Sequence, residues 1–284
     1  MHATRREILR YICHRIEHLY PVQERISIAR IIAPELEGVS FTKYLIEPDE
    51  VTTIEGLEEK VEELAQGRPV QYVLGTAEFC DLKFSVREGV LIPRPETAEL
   101  VEWVLQMADR NKPLKVLDIG TGSGCIALAL KKAAPNWDVT GLDISEDALK
   151  GAKENAGRNN AEVHWLQADI LSPQCPITSS PHRLHFDIIV SNPPYICNRE
   201  KKDMDARVLD YEPHSALFVP DTDPLLFYRQ IASLATSPAM LFFEINEAYG
   251  NEVCEMMAEM GYTDIQLKND MYGKPRMVFG AITR

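Results

Sequence analysis

The run Leu117-Asp118-Ile119-Gly120-Thr121-Gly122-Ser123-Gly124 carries an apolar strand straight into glycines at alternate positions. Glycine lets the chain turn sharply and leaves no Cβ between the backbone and a ligand. A helical pattern begins near Cys125, so the stretch reads as strand, tight loop and helix N-terminus, with free N–H groups at the last. This unit recurs in kind along the rest of the chain. Beyond Pro113, the strand candidates are 114–119, 138–143, 162–167, 186–191, 239–245, 263–268 and 275–281. Helical periodicity falls between them, at about 124–133, 146–158, 223–235 and 247–260. The alternation predicts an α/β fold whose sheet is mostly parallel and covered on both faces.

The glycine spacing separates two kinds of nucleotide site. A dinucleotide fingerprint reads GxGxxG; here Gly120, Gly122 and Gly124 are spaced GxGxG, with Asp118 just before them. That spacing is typical of class I S-adenosylmethionine methyltransferases, which need no pyrophosphate cradle. Gly120, Thr121, Gly122, Ser123 and Gly124 are therefore the expected cofactor loop. The next strand ends in Asp143, about 20 residues on, where an acid can take both ribose hydroxyls. Ser145 behind it suits a helix N-cap. By the same topology Asp169 is expected to accept from an adenine amino group, with Ile170 against the ring.

The fourth strand, Phe186-Asp187-Ile188-Ile189-Val190, runs into Ser191-Asn192-Pro193-Pro194-Tyr195. An amide or exocyclic amino nitrogen is a poor nucleophile because its lone pair is delocalised. The Asn192 side-chain oxygen and the Pro193 carbonyl can each accept one of its hydrogens. Pro193 and Pro194 stiffen the loop, and Tyr195 can stack on the planar group. Held in line with a methyl carbon, such a nitrogen needs orientation and charge stabilisation more than a strong base. Asn192, Pro193 and Tyr195 are the expected catalytic residues, and Asn192 is also expected to touch the cofactor.

The N-terminal part differs in texture. Ile8, Leu9, Ile12, Ile16 and Leu19, then Ile26, Ile28, Ile31 and Ile32, recur at helical spacing. A third helix is expected over 51–66, capped by Thr52 or Thr53 and stopped by Gly67. These residues, 1–70, predict a helical bundle. A linker over 71–95 is expected to hold a β-hairpin, from Phe79, Leu82, Phe84 and Val86, the turn Arg87-Glu88-Gly89, and Val90-Leu91-Ile92. Residues 96–284 are the expected catalytic domain.

Bulk properties narrow the class. No apolar run in the 284 residues is long enough to span a bilayer, and the N-terminus lacks the apolar core of a secretory signal. The six cysteines form no CxxC pair, which argues for a reduced cytoplasm and against a zinc knuckle or disulfide framework. The net charge of −13 weighs against duplex nucleic acid, whose binding draws on a basic footprint. It fits a protein partner with a basic surface. Monomer is the default expectation, and no metal is expected. His14-Arg15-Ile16-Glu17-His18 fits an HxxEH pattern but has no third ligand in view. Ser172 to His185, rich in Pro and Ser, reads as a surface loop.

Taken together, these residues resemble the bacterial release factor glutamine methyltransferases, over nearly the whole chain. Gly67-Arg68-Pro69-Val70-Gln71-Tyr72-Val73-Leu74-Gly75 is similar to that family's linker signature. Gly89-Val90-Leu91-Ile92-Pro93-Arg94-Pro95-Glu96-Thr97 is similar to its most distinctive motif. Tyr211-Glu212-Pro213 and the ending Gly273-Lys274-Pro275-Arg276-Met277-Val278 also match. Ala98, Asn246 and Tyr249 depart from the family pattern. The resemblance implies a Rossmann-like, mostly parallel seven-stranded sheet with a small N-terminal helical bundle that recognises the substrate. It implies S-adenosylmethionine as cofactor, S-adenosylhomocysteine as product, and as acceptor the glutamine of the Gly-Gly-Gln loop in class-one peptide-chain release factors. Asn192, Pro193, Pro194 and Tyr195 would contact that glutamine, with Arg94 and Thr97 near the site's mouth. An amino methyltransferase acting on adenine or guanine of nucleic acid is the alternative, since the same Asn-Pro-Pro-Tyr geometry serves a flipped base. A non-catalytic module docking release factors through the acidic helices is a third reading.

Overall fold

The computed structural model describes residues 1–179, 185–236 and 239–283. It divides into two compact units, Met1–Thr76 and Ala77–Arg284.

The first unit is built on helices Arg5–Arg15, Val22–Glu37, Phe41–Ile46, Leu57–Ala65 and Val70–Leu74. Thr4 starts the first of them: its hydroxyl accepts from Glu7 N at 3.2 Å, and the Glu7 carboxylate accepts from Thr4 N at 2.9 Å, a capping box. Ile8, Ile12 and Ile16 then face Ile28, Ile32, Leu57, Val61 and Leu64 in a shared apolar core. The Arg5 side chain, 3% exposed, sits among Glu37, Glu47 and Glu50 at 2.6–2.9 Å. The expected helix over 51–66 is shorter than its pattern. Val51–Thr53 forms an antiparallel ribbon with His2–Thr4. β-Branched residues favour that pleat, so Thr52 and Thr53 are strand residues and the helix starts after Gly56, at φ 69°.

A hairpin follows, Thr76–Phe79 and Leu82–Ser85, all but its first residue in the second unit. Its turn is Cys80-Asp81, both at positive φ (48° and 60°), rather than Arg87-Glu88-Gly89. Val90, Leu91 and Ile92 form no strand. After helix α1 (Pro95–Met107) come β1 (Lys115–Ile119), α2 (Cys125–Ala133), β2 (Asp138–Asp143), α3 (Glu146–Arg158), β3 (His164–Gln167), β4 (Ile188–Ser191), α4 (Leu226–Ala232), β5 (Ala239–Glu244), α5 (Gly250–Glu259), β6 (Thr263–Asn269) and β7 (Pro275–Ile282). The seven strands form one sheet in the order β6-β7-β5-β4-β1-β2-β3. All pairings are parallel except those of β7. Leu117, Ile119, Ile189, Leu241 and Phe243 alternate onto one face and pack with Ile231, Val253 and Met257. Trp103 of α1 meets Phe242 edge-on at 5.7 Å, ring centre to ring centre.

The expected loop over 172–185 holds a helical turn at Pro176–Ser179, with Cys175 and Ile177 buried beside the sheet; residues 180–184 lie outside the described ones. Among the described residues no helix is long and apolar enough to cross a membrane.

The strand order reverses about β1: β2 and β3 lie on one side, β4 and β5 on the other. The carboxyl ends of β1 and β4 therefore part there, and open α/β sheets bind ligands in that crevice. The loop beyond β1 is held close to the neighbouring strand. A Cβ on Gly141, in β2, would sit 2.5 Å and 2.7 Å from Trp165 ring carbons and 2.9 Å from the Thr121 hydroxyl. Gly141→Ala is expected to destabilise the protein by about 1–3 kcal/mol, read as a lower urea midpoint at unchanged slope.

Candidate active site

The crevice holds a cavity of about 330 Å³ walled by the ends of four strands: Ile119 and Gly120, Leu142 and Asp143, Asp169 and Ile170, Ser191 and Asn192. Gly122, Pro193 and Pro194 also line it. Eight sequence-predicted residues thus meet there: Gly120, Gly122, Asp143, Asp169, Ile170, Asn192, Pro193 and Pro194.

The glycine loop is shaped by backbone constraint. Gly120, Gly122 and Gly124 have φ of 71°, 55° and 81°, a region that costs other residues roughly 1–2 kcal/mol each. Gly120 N and Thr121 N both donate to the Leu142 carbonyl, at 2.8 and 2.9 Å. Asp118 ties the loop to the helix: its Oδ2 accepts from the Thr121 hydroxyl at 2.6 Å and from Ala127 N at 3.1 Å. Its Oδ1 has no hydrogen-bond partner among the described residues, and burial pushes this carboxyl up to about 7. Thr121 and Ser123 are buried off the cavity lining; the Ser123 carbonyl accepts from Asn155 Nδ2 at 3.0 Å. Gly124 sits at the N-cap of α2.

Asp143 engages both carboxylate oxygens with backbone amides. Oδ2 accepts from Gly122 N at 2.8 Å and Oδ1 from Ser145 N at 2.9 Å. Each oxygen keeps a lone pair for a ligand hydroxyl. Burial raises its pKa, while the Ser145 and Gly122 amides pull the other way. Ser145 also caps α3, its Oγ accepting from Ala148 N at 3.1 Å.

At the end of β4, Asn192 donates through Nδ2 to the Thr97 hydroxyl at 3.2 Å, and Thr97 donates to Glu244 Oε2 at 2.7 Å. Tyr195 donates its hydroxyl to Glu244 Oε1 at 3.1 Å. Asn246 Nδ2 donates to the Tyr195 carbonyl at 3.1 Å. Thr97, Arg94 and Tyr195 are not among the lining residues: Thr97 is buried behind Asn192, and Arg94 pairs with Glu212.

Three comparisons place this geometry. A profile described as the methyltransferase small domain matches residues 98–210. A release factor glutamine methyltransferase of Bacteroides thetaiotaomicron is 40% identical over 278 residues, 95% of this chain and 98% of that protein. The chain belongs to the release factor glutamine methyltransferase family. Its relative from Flavobacterium psychrophilum is 46% identical over 223 residues, 76% of each chain. Among solved structures, the T. thermophilus 16S rRNA N2 G1207 methyltransferase, in complex with AdoMet and guanosine, superposes with a TM-score of 0.51 at 17% identity. The match covers 74% of this chain and 50% of that one, and shows a common fold.

In this member of the release factor glutamine methyltransferase family two further motif segments reach the site, together with Ser215 and Phe227, which no sequence pattern singles out. Gly89, Val90 and Leu91 close one side of the cavity, and Pro213, Ser215, Ala216 and Phe227 another. Glu244 had one readable signal: a carboxylate at the end of the apolar run Met240-Leu241-Phe242-Phe243 cannot stay buried without partners.

Proposed function

We propose that this chain transfers the methyl group of S-adenosylmethionine to the side-chain amide nitrogen of the glutamine in the Gly-Gly-Gln motif of class-one peptide-chain release factors. One observation carries the reading: Asn192 and Pro193 share a cavity wall with Gly120 and Asp143. An amide-holding motif and a nucleoside-holding loop thus open onto one space. The residues fit the cofactor. Asp143 offers acceptors for two hydroxyls, and Asp169 and Ile170 offer a carboxylate and an apolar wall on the same cavity. Bound there, S-adenosylmethionine supplies an electrophilic methyl group on a positively charged sulfur.

The chain's own residues do the rest. Asn192 Oδ1 and the Pro193 carbonyl accept the two amide hydrogens, which orients the nitrogen lone pair and stabilises the positive charge that develops on it. Tyr195, expected to stack on the planar group, lies outside the cavity lining; its hydroxyl, donating to Glu244, anchors the end of the loop instead. The helical N-terminal region, residues 1–70, recognises the release factor, with 71–95 as linker. The enzyme works as a cytoplasmic monomer, without metal, membrane or nucleic acid.

Labelled methyl transfer from S-adenosylmethionine to a purified release factor tests this, with a parallel sample whose Gly-Gly-Gln glutamine is replaced by alanine. Label on the native factor alone is expected; label on both, or on neither while cofactor binding is intact, overturns the proposal. Asp143→Ala is expected to weaken S-adenosylmethionine binding roughly tenfold or more, because hydrogen bonds to a charged group contribute about 1.5–3 kcal/mol each. Calorimetric Kd and kcat at saturating cofactor check it, kcat changing less than Kd.

A further inference from the structure

Two buried residues stand behind Asn192 and belong to no motif wall. Thr97 comes from the first turn of α1, is 2% exposed, and does not line the cavity. Glu244 ends β5 and is 1% exposed. It follows Phe243, whose register partner in β4 is Ser191, so Glu244 and Asn192 leave adjacent strands side by side.

The direction of each hydrogen bond is fixed by chemistry. Burial raises the Glu244 pKa, while the Thr97 and Tyr195 hydroxyls and the Arg276 charge favour its ionised form; ionised, the carboxylate only accepts, and a hydroxyl has one proton to give. The Thr97 proton goes to Glu244 Oε2 at 2.7 Å. Toward Asn192 the Thr97 oxygen can therefore only accept, so Asn192 must present its NH2, at 3.2 Å. The other end of the same amide, Oδ1, is then left for the ligand side. The second Glu244 oxygen takes the Tyr195 hydroxyl at 3.1 Å, so one buried group registers both ends of the Asn192-to-Tyr195 loop.

We propose that Thr97, held by Glu244, is a positioning residue that decides which end of the Asn192 amide faces the acceptor. The inference rests on the amide-methylation reading. An acceptor NH2 needs an oxygen opposite it; a flipped Asn192 would set donor against donor, an unmade hydrogen bond in a closed site. Neither Thr97 nor Glu244 touches a ligand, and their effect passes through Asn192.

Thr97→Val keeps the side-chain shape and removes the accepting oxygen. It is expected to lower kcat roughly ten- to a hundredfold with the Kd for S-adenosylmethionine unchanged. Thr97→Ala, which lacks the oxygen without adding a methyl, is expected to match it, and Thr97→Ser to restore most of kcat. A Thr97→Val enzyme with wild-type kcat, or a Thr97→Ser enzyme as slow as Thr97→Val, overturns the proposal. The Asn192 side-chain amide cross-peaks in a nitrogen–proton NMR spectrum give a readout that needs no acceptor. They are expected to move in Thr97→Val and to return in Thr97→Ser, and peaks indifferent to Thr97→Val overturn the positioning role. A wild-type enzyme that labels no release factor overturns the acceptor assignment instead, and the spectrum still decides the role of Thr97.

Discussion

Asn192→Ala is expected to lower kcat for methyl transfer to the release factor by about a hundred- to a thousandfold, the usual effect of removing one preorganised group that meets developing charge. Its cofactor affinity is expected to stay near wild type. The reason lies in how the wall is shared. The glycine loop keeps its shape through hydrogen bonds to Leu142, Asp118 and Asp143, whereas the Asn192 side chain bonds Thr97. Removing that side chain therefore deletes an acceptor for the substrate amide and leaves the nucleoside-facing surface intact. The amide nitrogen then keeps only the Pro193 carbonyl, and its lone pair is free to rotate out of line.

Asn192→Asp sharpens the same expectation. It restores an oxygen toward the acceptor but puts a second oxygen where Nδ2 met Thr97. Thr97 has one proton and Glu244 already holds it, so two carboxylates would compete for a single hydroxyl. Single-turnover rates for the wild type and both variants, with Kd measured alongside, check this. A full rate for Asn192→Ala would remove the amide-holding role from the mechanism.

The sheet was legible because its central strands are local apolar runs set at regular intervals between helical patterns, and the expected strands fall within a few residues of the observed β1 to β7. The cavity was legible where one motif supplies one wall: the GxGxG loop, Asp143, and the Asn-Pro-Pro-Tyr turn. What stayed hidden depends on distant partners. Val51–Thr53 carries a helix-compatible pattern and becomes a strand only because His2–Thr4 lies alongside it. The hairpin turns at Cys80-Asp81, which lacks the glycine or asparagine usual where φ is positive. Thr97 and Glu244 are 147 positions apart, and nothing in the neighbourhood of either announces the other. Their meeting follows from α1 and β5 flanking the same strand end, which is a property of the topology.

Asp118 carries the second large expected effect, on stability against pH. Its carboxyl is fully buried at the end of β1 and is pushed up from 3.8 to about 7, first by desolvation, with the Thr121 hydroxyl and Ala127 amide opposing. Below the unfolded-state pKa the group is neutral in both states, and its contribution is most favourable there. Between about pH 4 and pH 7 the unfolded chain ionises it freely in water while the folded protein resists, so stability falls as pH rises and then levels off. The full span is at most about 4 kcal/mol. Asp118→Asn keeps an acceptor oxygen for Thr121 and Ala127 but carries no charge, so it escapes the decline. From pH 5 to pH 8 the variant is expected to gain about 2–3 kcal/mol on the wild type, measured as the difference in urea unfolding free energy across that range. The other titrating groups are common to both proteins and cancel in the difference. Parallel curves would mean that Thr121 and the N-terminus of α2 stabilise the anion enough to offset its burial, with the loop held by an ordinary ionised carboxylate at every pH tested.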